Sequence, residues 1–185
     1  MEALEALTRR VSGTKLVEPA PDELELHSLL SAALRAPDHG RLRPWRFIVM
    51  RASGLHRLGD LMAESYARRY PDASPAQLDK ERGKPLRAPL IVVVAAVVNK
   101  ESHIPAIEQI LSAGAAAENL MVAAYALGYG CTWKTGDAAY DPDVKTALGL
   151  AHDDAIVGFM YLGTNASEPP PADAIDVEQF VRTWR

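Results

Sequence analysis

Residues 89–98, PLIVVVAAVV, form an apolar and largely β-branched run without polar alternation. Such a run is typical of a strand that is buried on both faces. The chain continues into residues 105–127, PAIEQILSAGAAAENLMVAAYAL, whose apolar spacing predicts a helix. From Ala113 onward this helix is apolar nearly all round, so we expect it to be buried in a core or against a second subunit.

Outward from these two segments, helical and strand patterns alternate along the chain. Apolar spacing and capping signals predict helices at residues 2–9, from Pro21-Asp22 to Pro37, from Ser53, from Ser74-Pro75, and from Asp141-Pro142 to Gly149; short apolar runs predict strands at residues 47–50, 131–133 and 155–162. Because helices and strands mix throughout, we expect an α/β or α+β fold in which helices cover a sheet.

Composition limits the class of protein. The chain has 185 residues, of which 48% are apolar and 24% charged, and this predicts one ordinary globular domain. The longest stretch without charge, residues 119–133, is shorter than the ~20 residues that cross a bilayer. The N-terminus is acidic and has no long apolar run, so we expect no signal peptide and no membrane association.

The single cysteine, Cys131, excludes an internal disulfide and a zinc-thiolate site, and favours a reducing, cytoplasmic location. The net charge of −4 gives no reason to expect nucleic acid as a partner. Charge is unevenly spread: residues 35–87 carry 12 Lys/Arg against 6 Asp/Glu, and residues 135–185 carry 3 against 9. We expect these two regions to meet in space, or the basic one to face a phosphorylated ligand.

The usual catalytic motifs are absent, and the five histidines are too scattered to predict a metal site. Four of the histidines are expected to be solvated surface residues: His27, His56, His103 and His152. His39 lies in a polar loop between a helix and a strand, a position that fits a functional role and an exposed turn equally well. The basic loop from Arg9 to Lys15 suits a phosphate or plain solvation. Cys131 is expected to be a core residue rather than a nucleophile.

Three blocks of sequence together resemble the flavin-dependent nitroreductase family. They are RVS at 10–12, RAPDH at 35–39 with PWRFIV at 44–49, and SAGAAAENLM at 112–121 with ALGYGCTW at 126–133. The blocks occur in the family's order, and the resemblance spans residues 1–164, which we take as one FMN-binding domain. It is closest to a subgroup of small members, with which the chain shares RAPL at 87–90 and IVGF at 156–159.

The resemblance implies an α+β fold with a central mixed sheet and an intertwined homodimer that holds FMN at its interface. It also implies a ping-pong reaction, in which NAD(P)H reduces the flavin and leaves before a nitro compound, quinone or similar acceptor takes the electrons. No protein residue is then expected to be catalytic, because the cofactor carries the chemistry. The alternatives are a dehalogenase, flavin-fragmenting enzyme or dehydrogenase of the same fold, or a flavin-binding protein with little turnover.

Matched positions give the expected cofactor-binding residues. Arg10 and Ser12 match the phosphate loop, Val11 offers only its backbone, and Lys134 matches a further phosphate ligand. Thr132 and Trp133 match positions that line the flavin, and Arg35 and His39 match positions contributed by the other subunit. No metal is expected.

Two departures from the family pattern leave one role open. Thr14 stands where many members are basic, and Arg41 and Arg43 replace the usual Asn and Gln. A cation beside the flavin would stabilise its reduced, anionic form. Lys15, Arg41 and Arg43 are all candidates, and the two arginines also suit an anionic acceptor or the 2′-phosphate of NADPH.

The last residues form a separate extension, 165–185. Pro169, Pro170 and Pro171 exclude pairing in a central strand, and the following residues are more apolar than a free tail usually is. In the resembled family this segment crosses to the partner's sheet. We therefore expect residues 174–185 to pack on the other subunit; a tail folded back on its own chain is the alternative.

Overall fold

The computed structural model describes residues 2–185 as an α+β fold, which confirms the expected class. The helices are α1 (Ala3–Arg9), α2 (Glu23–Ala33), α3 (Ser53–Arg69), α4 (Pro75–Arg82), α5 (Ala106–Ala126) and α6 (Pro142–Ala147). The strands are β1 (Leu16–Val17), β2 (Trp45–Arg51), β3 (Leu90–Ala96), β4 (Gly130–Lys134) and β5 (Ala155–Asn165). Short 3₁₀ turns occupy His39–Arg41, Pro85–Arg87, Asp137–Ala139 and Val177–Gln179.

The sheet is built around β5, which pairs with β1, β3 and β4, while β2 pairs with β3. Each of these four pairings is antiparallel, where the resemblance implied a mixed sheet. The reason is the path of the chain: α5 connects β3 to β4, which run in the same direction, but β5 lies between them. Within residues 2–185, β2 has no strand on its outer side.

Helices cover both faces of the sheet, and each face has its own apolar core. α2 and α5 pack on one face, and α3, α6 and the turn at Asp137–Ala139 pack on the other. Every residue of β3 is fully buried between the two layers, as its sequence predicted. α5 buries one side against the sheet and leaves a second, partly exposed side facing outward.

Capping explains where several helices begin. Asp22 and Ser74 each form a capping box, and the Asp141 carboxylate accepts hydrogen bonds from the first N–H groups of α6. The prediction that Ser53 caps α3 is wrong. Ala52 holds the cap position with a φ of 43°, and no side chain caps the helix there.

The basic and acidic regions do meet. On α3, Arg68 forms ion pairs with Asp141 and Asp143, and Arg69 forms one with Asp137. Burial alone would raise the pKa of Asp141, but hydrogen bonds from Ser65 and the α6 backbone, together with the Arg68 charge, hold it below its ordinary value of 3.8. These contacts fix α3 against the segment that follows β4.

The C-terminal segment leaves the compact part of the chain after β5. Its apolar side chains are exposed at Ile175, Val177, Phe180, Val181 and Trp184, and the Trp184 side chain is fully so. In residues 2–185 there is no helix that combines the length and the apolar character needed to span a membrane.

Candidate functional site

The N-terminal basic loop wraps around the outer edge of β4. The Gly13 N–H donates to the Cys131 carbonyl at 3.3 Å, and the Thr132 hydroxyl donates to the Gly13 carbonyl at 2.5 Å. A Cβ on Gly13 would lie 2.6 Å from both Asn165 Oδ1 and Leu16 Cδ2, so a larger residue would require these two side chains to shift. The loop and the strand that the sequence singled out are therefore adjacent.

Arg10 is held in place by a residue that sequence reasoning missed. Its guanidinium Nε lies 3.3 Å from Oε1 of Glu118 on α5, and the Arg10 side chain is 23% exposed. Ser12 is exposed at the turn of the loop. The loop thus presents a positioned cation and a free-standing hydroxyl on the rim of the sheet, which is donor chemistry that suits a phosphate.

A cavity of about 350 Å³ opens beside the end of β4, a size typical of ligand sites. It lies between α3, the turn at Pro85–Arg87 and the segment after β4. Its lining residues are Met62, Tyr66, Arg69, Glu81, Lys84, Arg87, Lys134, Thr135, Gly136, Asp137, Ala138 and Tyr161. Four cations thus surround one concave space.

Two of the four cations are neutralised locally and two are not. Arg69 pairs with Asp137 at 2.9 Å, and Lys84 pairs with Glu81. Neither Arg87 nor Lys134 has a carboxylate partner within residues 2–185. The Lys134 Nζ instead lies 6.0 Å from the centroid of the Tyr161 ring. The cavity is therefore net positive.

Tyr161 adds a neutral hydrogen-bond donor to the cavity. Burial raises the pKa of its hydroxyl to about 12, against an opposing effect of the Arg87 charge. The hydroxyl therefore stays protonated at neutral pH. Together with Arg87 and Lys134, it gives the cavity three groups that donate and none of them needs to lose a proton to do so.

Thr132 and Lys134 lie on the same face of β4, the first in contact with the basic loop and the second in the cavity. Residues two apart on a strand point to the same side, about 7 Å from each other. Thr132 also lies opposite Tyr161 in the β4–β5 register. An elongated ligand can therefore reach from the loop into the cavity along one strand.

Trp133 points to the opposite face of β4. Its indole N–H donates to the Val157 carbonyl at 3.0 Å, and the residue is 37% exposed. The structure therefore separates Trp133 from the two neighbours with which the sequence grouped it.

The second group of expected site residues lies elsewhere in the chain. Arg35 is exposed just beyond α2, and His39 places its Nδ1 2.7 Å from Oε2 of Glu108 on α5. The loop that carries His39 is conformationally unusual, since Gly40, Arg41 and Arg43 all have positive φ. Strain of this kind concentrates at functional sites.

One subunit does not bring the two groups together. Glu108, which contacts His39, and Glu118, which contacts Arg10, are ten residues apart on α5, and that spacing is about 15 Å along the helix axis. The structure thus places the loop that carries Arg10, Val11 and Ser12 beside Thr132, with Lys134 two residues further along β4. Arg35 and His39 lie in the segment that contacts Glu108 instead.

The candidates for a cation beside the flavin also change. Lys15, Arg41 and Arg43 are exposed and none of them lines the cavity. Lys84 and Arg87 do line it, and the sequence analysis did not single them out. The available signal was their position: both lie just before the buried strand β3, on the turn that leads into it.

Other chemistry is not supported by the geometry. Cys131 is buried, and burial raises the pKa of its thiol to about 12, so the thiol is neutral and unreactive as a nucleophile. His27, His56, His103 and His152 are exposed, as expected. No cluster of His, Cys, Asp and Glu in the part of the chain that the structure describes is arranged to hold a metal ion.

Comparison with known proteins gives consistent matches. The profile of the family described as "Nitroreductase family" matches residues 9–164. The Escherichia coli K12 protein named "Putative NAD(P)H nitroreductase YdjA" is 40% identical over 164 residues, which cover 89% of this chain and 88% of the relative.

Two solved structures share the fold. A nitroreductase-like family protein from Bacillus cereus superposes with a TM-score of 0.85 at 22% identity and covers 100% of this chain and 96% of its own. A nitroreductase with bound FMN from Bacteroides fragilis does so with a TM-score of 0.77 at 20% identity, covering both chains completely. With its profile match, its 40% identical relative and its three ordered sequence blocks, the chain belongs to the nitroreductase family.

Proposed function

We propose that this protein is an FMN-dependent oxidoreductase that passes electrons from NAD(P)H to nitro compounds, quinones or similar small acceptors by a ping-pong mechanism. Family membership supports the reaction class. The names of its relatives support the donor, and the FMN in the Bacteroides fragilis structure supports the cofactor. The proposal rests most on one observation: Thr132, which contacts the basic loop, and Lys134, which lines the net-positive cavity, lie on the same face of β4.

The donors present fit FMN. Arg10 and Ser12, with the Val11 backbone, form a compact anion site without the glycine-rich turn that a pyrophosphate uses, which favours FMN over FAD. The cavity combines cations with the apolar and aromatic surfaces of Met62 and Tyr66. Bound there, FMN would supply the hydride chemistry. The protein would bind the phosphate, orient the ring along Thr132 and Lys134, and place positive charge beside it. Trp133, on the other face of β4, would contact the flavin only where the ring passes the edge of the strand.

We propose that Arg35 and His39 act in the partner's site, because one chain holds them about 15 Å along α5 from the basic loop. This requires a homodimer. Supporting it, α5 exposes Ile107 and Leu111 and α1 exposes Leu4 and Leu7. On the outer side of α5, Gly114 has open space around it, which would let a second helix approach closely.

The tail completes the proposed dimer. Residues 1–164 would form the FMN-binding domain, and residues 165–185 an extension that packs on the partner. The unpaired outer edge of β2 is the natural acceptor for residues 174–185, since the loop at Gly13 already contacts the outer edge of β4. A pairing between subunits is also where a mixed sheet would arise. Cys131 is the single cysteine and is free, so the chain has no internal disulfide, which supports a cytoplasmic location.

The test is an anaerobic titration of the purified protein. We expect the protein to show the absorption band of oxidised flavin in the blue region and to release FMN on heating. NADH or NADPH should bleach this absorption band. Adding a nitroaromatic compound or a quinone should restore the band, and initial rates should give the parallel double-reciprocal lines of a ping-pong reaction. Release of mainly FAD would contradict the cofactor assignment. Flavin that neither nicotinamide bleaches would leave a binding protein with little turnover.

A further inference from the structure

Among the residues that the structure describes, Arg87 is the one cavity cation that has neither an ion-pair partner nor a place in the proposed phosphate and ring site. Arg69 and Lys84 are each paired with a carboxylate, and Lys134 belongs to the proposed phosphate and ring site. We infer that Arg87 supplies the positive charge that stabilises the reduced cofactor and thereby raises its reduction potential. This inference rests on the proposed function.

The surrounding structure holds the backbone of Arg87 in a defined position. Arg87 ends the short turn Pro85–Arg87, whose first residue is buried and whose last N–H donates to the Lys84 carbonyl at 3.3 Å. The next residue, Ala88, is 3% exposed, and the chain then enters the fully buried β3. The backbone that carries the guanidinium is thus anchored at both ends, so the charge is presented to the cavity without a mobile loop.

The Arg87 charge already acts on a neighbouring cavity group. Arg87 and Tyr161 line the same cavity, and the Arg87 charge opposes the effect of burial on the pKa of the Tyr161 hydroxyl by favouring its ionised form. Anything negative that forms beside Tyr161 experiences the same field. Arg87 is itself exposed on its outer side, so the effect is strongest when a bound ring displaces water from the cavity.

The charge balance of the reaction explains why this matters. NAD(P)H gives up a hydride, two electrons and one proton, and becomes NAD(P)⁺. The flavin that accepts it gains one negative charge. A fixed cation beside the ring therefore favours the reduced form over the oxidised form and shifts the equilibrium toward reduction.

The test compares Arg87→Gln with Arg57→Gln in the FMN-loaded protein. Arg57 is exposed on α3, has no ion pair within the described residues and lines a different groove, so its replacement removes the same charge away from the cavity. Two readouts that do not depend on turnover are the potential, by dye-coupled anaerobic reduction, and the affinity for sulfite, which adds to the oxidised ring and leaves a negative charge there.

We expect Arg87→Gln to weaken sulfite binding about tenfold and to lower the potential by about 30 mV, the shift that a tenfold change gives for a two-electron couple. Arg57→Gln should change neither, and Arg87→Lys should restore most of both. If Arg87→Gln loosens the cofactor, the ratio of dissociation constants for oxidised and reduced FMN reports the same quantity, because the two are thermodynamically linked.

Unchanged sulfite affinity, potential and binding ratio in Arg87→Gln would overturn the inference, as would an equal shift in Arg57→Gln. Failure of the proposed function looks different. In that case the unsubstituted protein either binds no flavin or holds a flavin that neither nicotinamide bleaches, whatever residue stands at 87.

Discussion

Arg10 is the single residue on which the proposed cofactor site depends most, because it is the half-buried cation of the basic loop, whereas Arg9 and Lys15 are exposed. We expect Arg10→Ala to weaken FMN binding by ~1.5–3 kcal/mol, the range for a hydrogen bond to a charged group. Fluorescence titration of the flavin-free protein measures this directly. Arg9→Ala is the matched control, since Arg9 is exposed and pairs only with Glu5 on its own helix. Equal affinities for the three proteins would remove Arg10 from the site.

Cys131 is expected to make the free energy of unfolding fall as the pH rises through the alkaline range. Burial raises the pKa of its thiol from 9.0 to about 12, so between these values the thiol ionises only in the unfolded chain. Its contribution to the free energy of unfolding is complete below pH 9 and is lost as the pH rises toward 12. Between pH 8 and pH 10.5 the loss should be about 2 kcal/mol.

Urea unfolding at the two pH values tests this, with Cys131→Ala as the reference. Tyr129 and Tyr161 also have raised pKa values, but both remain in the variant, so their effects cancel in the comparison. Between pH 8 and pH 10.5, the free energy of unfolding of the variant should fall by about 2 kcal/mol less than that of the original protein. An identical pH dependence would mean that the thiol ionises as readily in the folded state as in the unfolded one.

For single residues, the sequence predicts which positions belong to the candidate site better than it predicts which side chains contact each other. The blocks around Arg10 and Thr132 could be aligned with a family, and the structure does bring those residues together. The ion pair between Arg10 and Glu118 joins positions that lie far apart in the chain, and no local pattern predicts such a contact. The sequence did not single out Arg87 for the same reason. Its proposed role depends on having no carboxylate nearby in space, and the sequence does not show that.

Among the elements, the contact between α3 and α4 positions the turn that bears Lys84 and Arg87. Gly59 makes it possible, because a Cβ there would lie 2.2 Å from the backbone carbonyl oxygen of Arg82. We expect Gly59→Ala to destabilise the protein by ~1–3 kcal/mol through overpacking, even though alanine favours a helix by up to ~1 kcal/mol. It should also lower FMN affinity.

Gly54→Ala is the internal control, because it lies on the same helix and its Cβ would meet Met50 at an ordinary 3.5 Å. The melting temperature should therefore fall in Gly59→Ala. In Gly54→Ala it should rise or stay unchanged. If both variants were as stable as the original protein, α3 and α4 would not be packed as tightly as the structure shows.

Periodicity predicted the long elements well and the short ones poorly. β3 and α5 carry strong apolar patterns over seven and 21 residues, and both appeared where expected. β1 has only Leu16 and Val17 and exists because β5 offers it an edge, so its sequence holds no strand signal. The same pairing extends β5 to Asn165, beyond the apolar run that predicted it.

For the whole molecule, the tail decides whether the site is complete. If residues 174–185 pack on the partner, deleting them should reduce dimer stability and FMN occupancy together, because both depend on the same contact between subunits. Sedimentation and flavin absorbance, measured across a dilution series, test this. Removing Arg185 alone is the control and should change neither.

A truncated protein that stays dimeric and keeps its flavin would instead assign the tail to its own subunit. The sequence could identify the tail as apolar, but not its partner, because periodicity carries no information about which chain supplies the opposing surface. The same limit applied to α5. Its sequence predicted burial on most sides, whereas one subunit buries a single side and leaves the other available.

The hydrogen bond between Thr132 and Gly13 also has a consequence for synthesis on the ribosome. The two residues are 119 positions apart, and translation proceeds at about 5–20 residues per second. The basic loop therefore waits roughly 6 to 24 seconds for the strand it encloses, and β1 waits longer still for the end of β5. Under the proposed function, nascent chains that stop before β4 would carry Arg10 and Ser12 without Lys134 or Tyr161, so cofactor capture would have to wait until β4 and β5 are made.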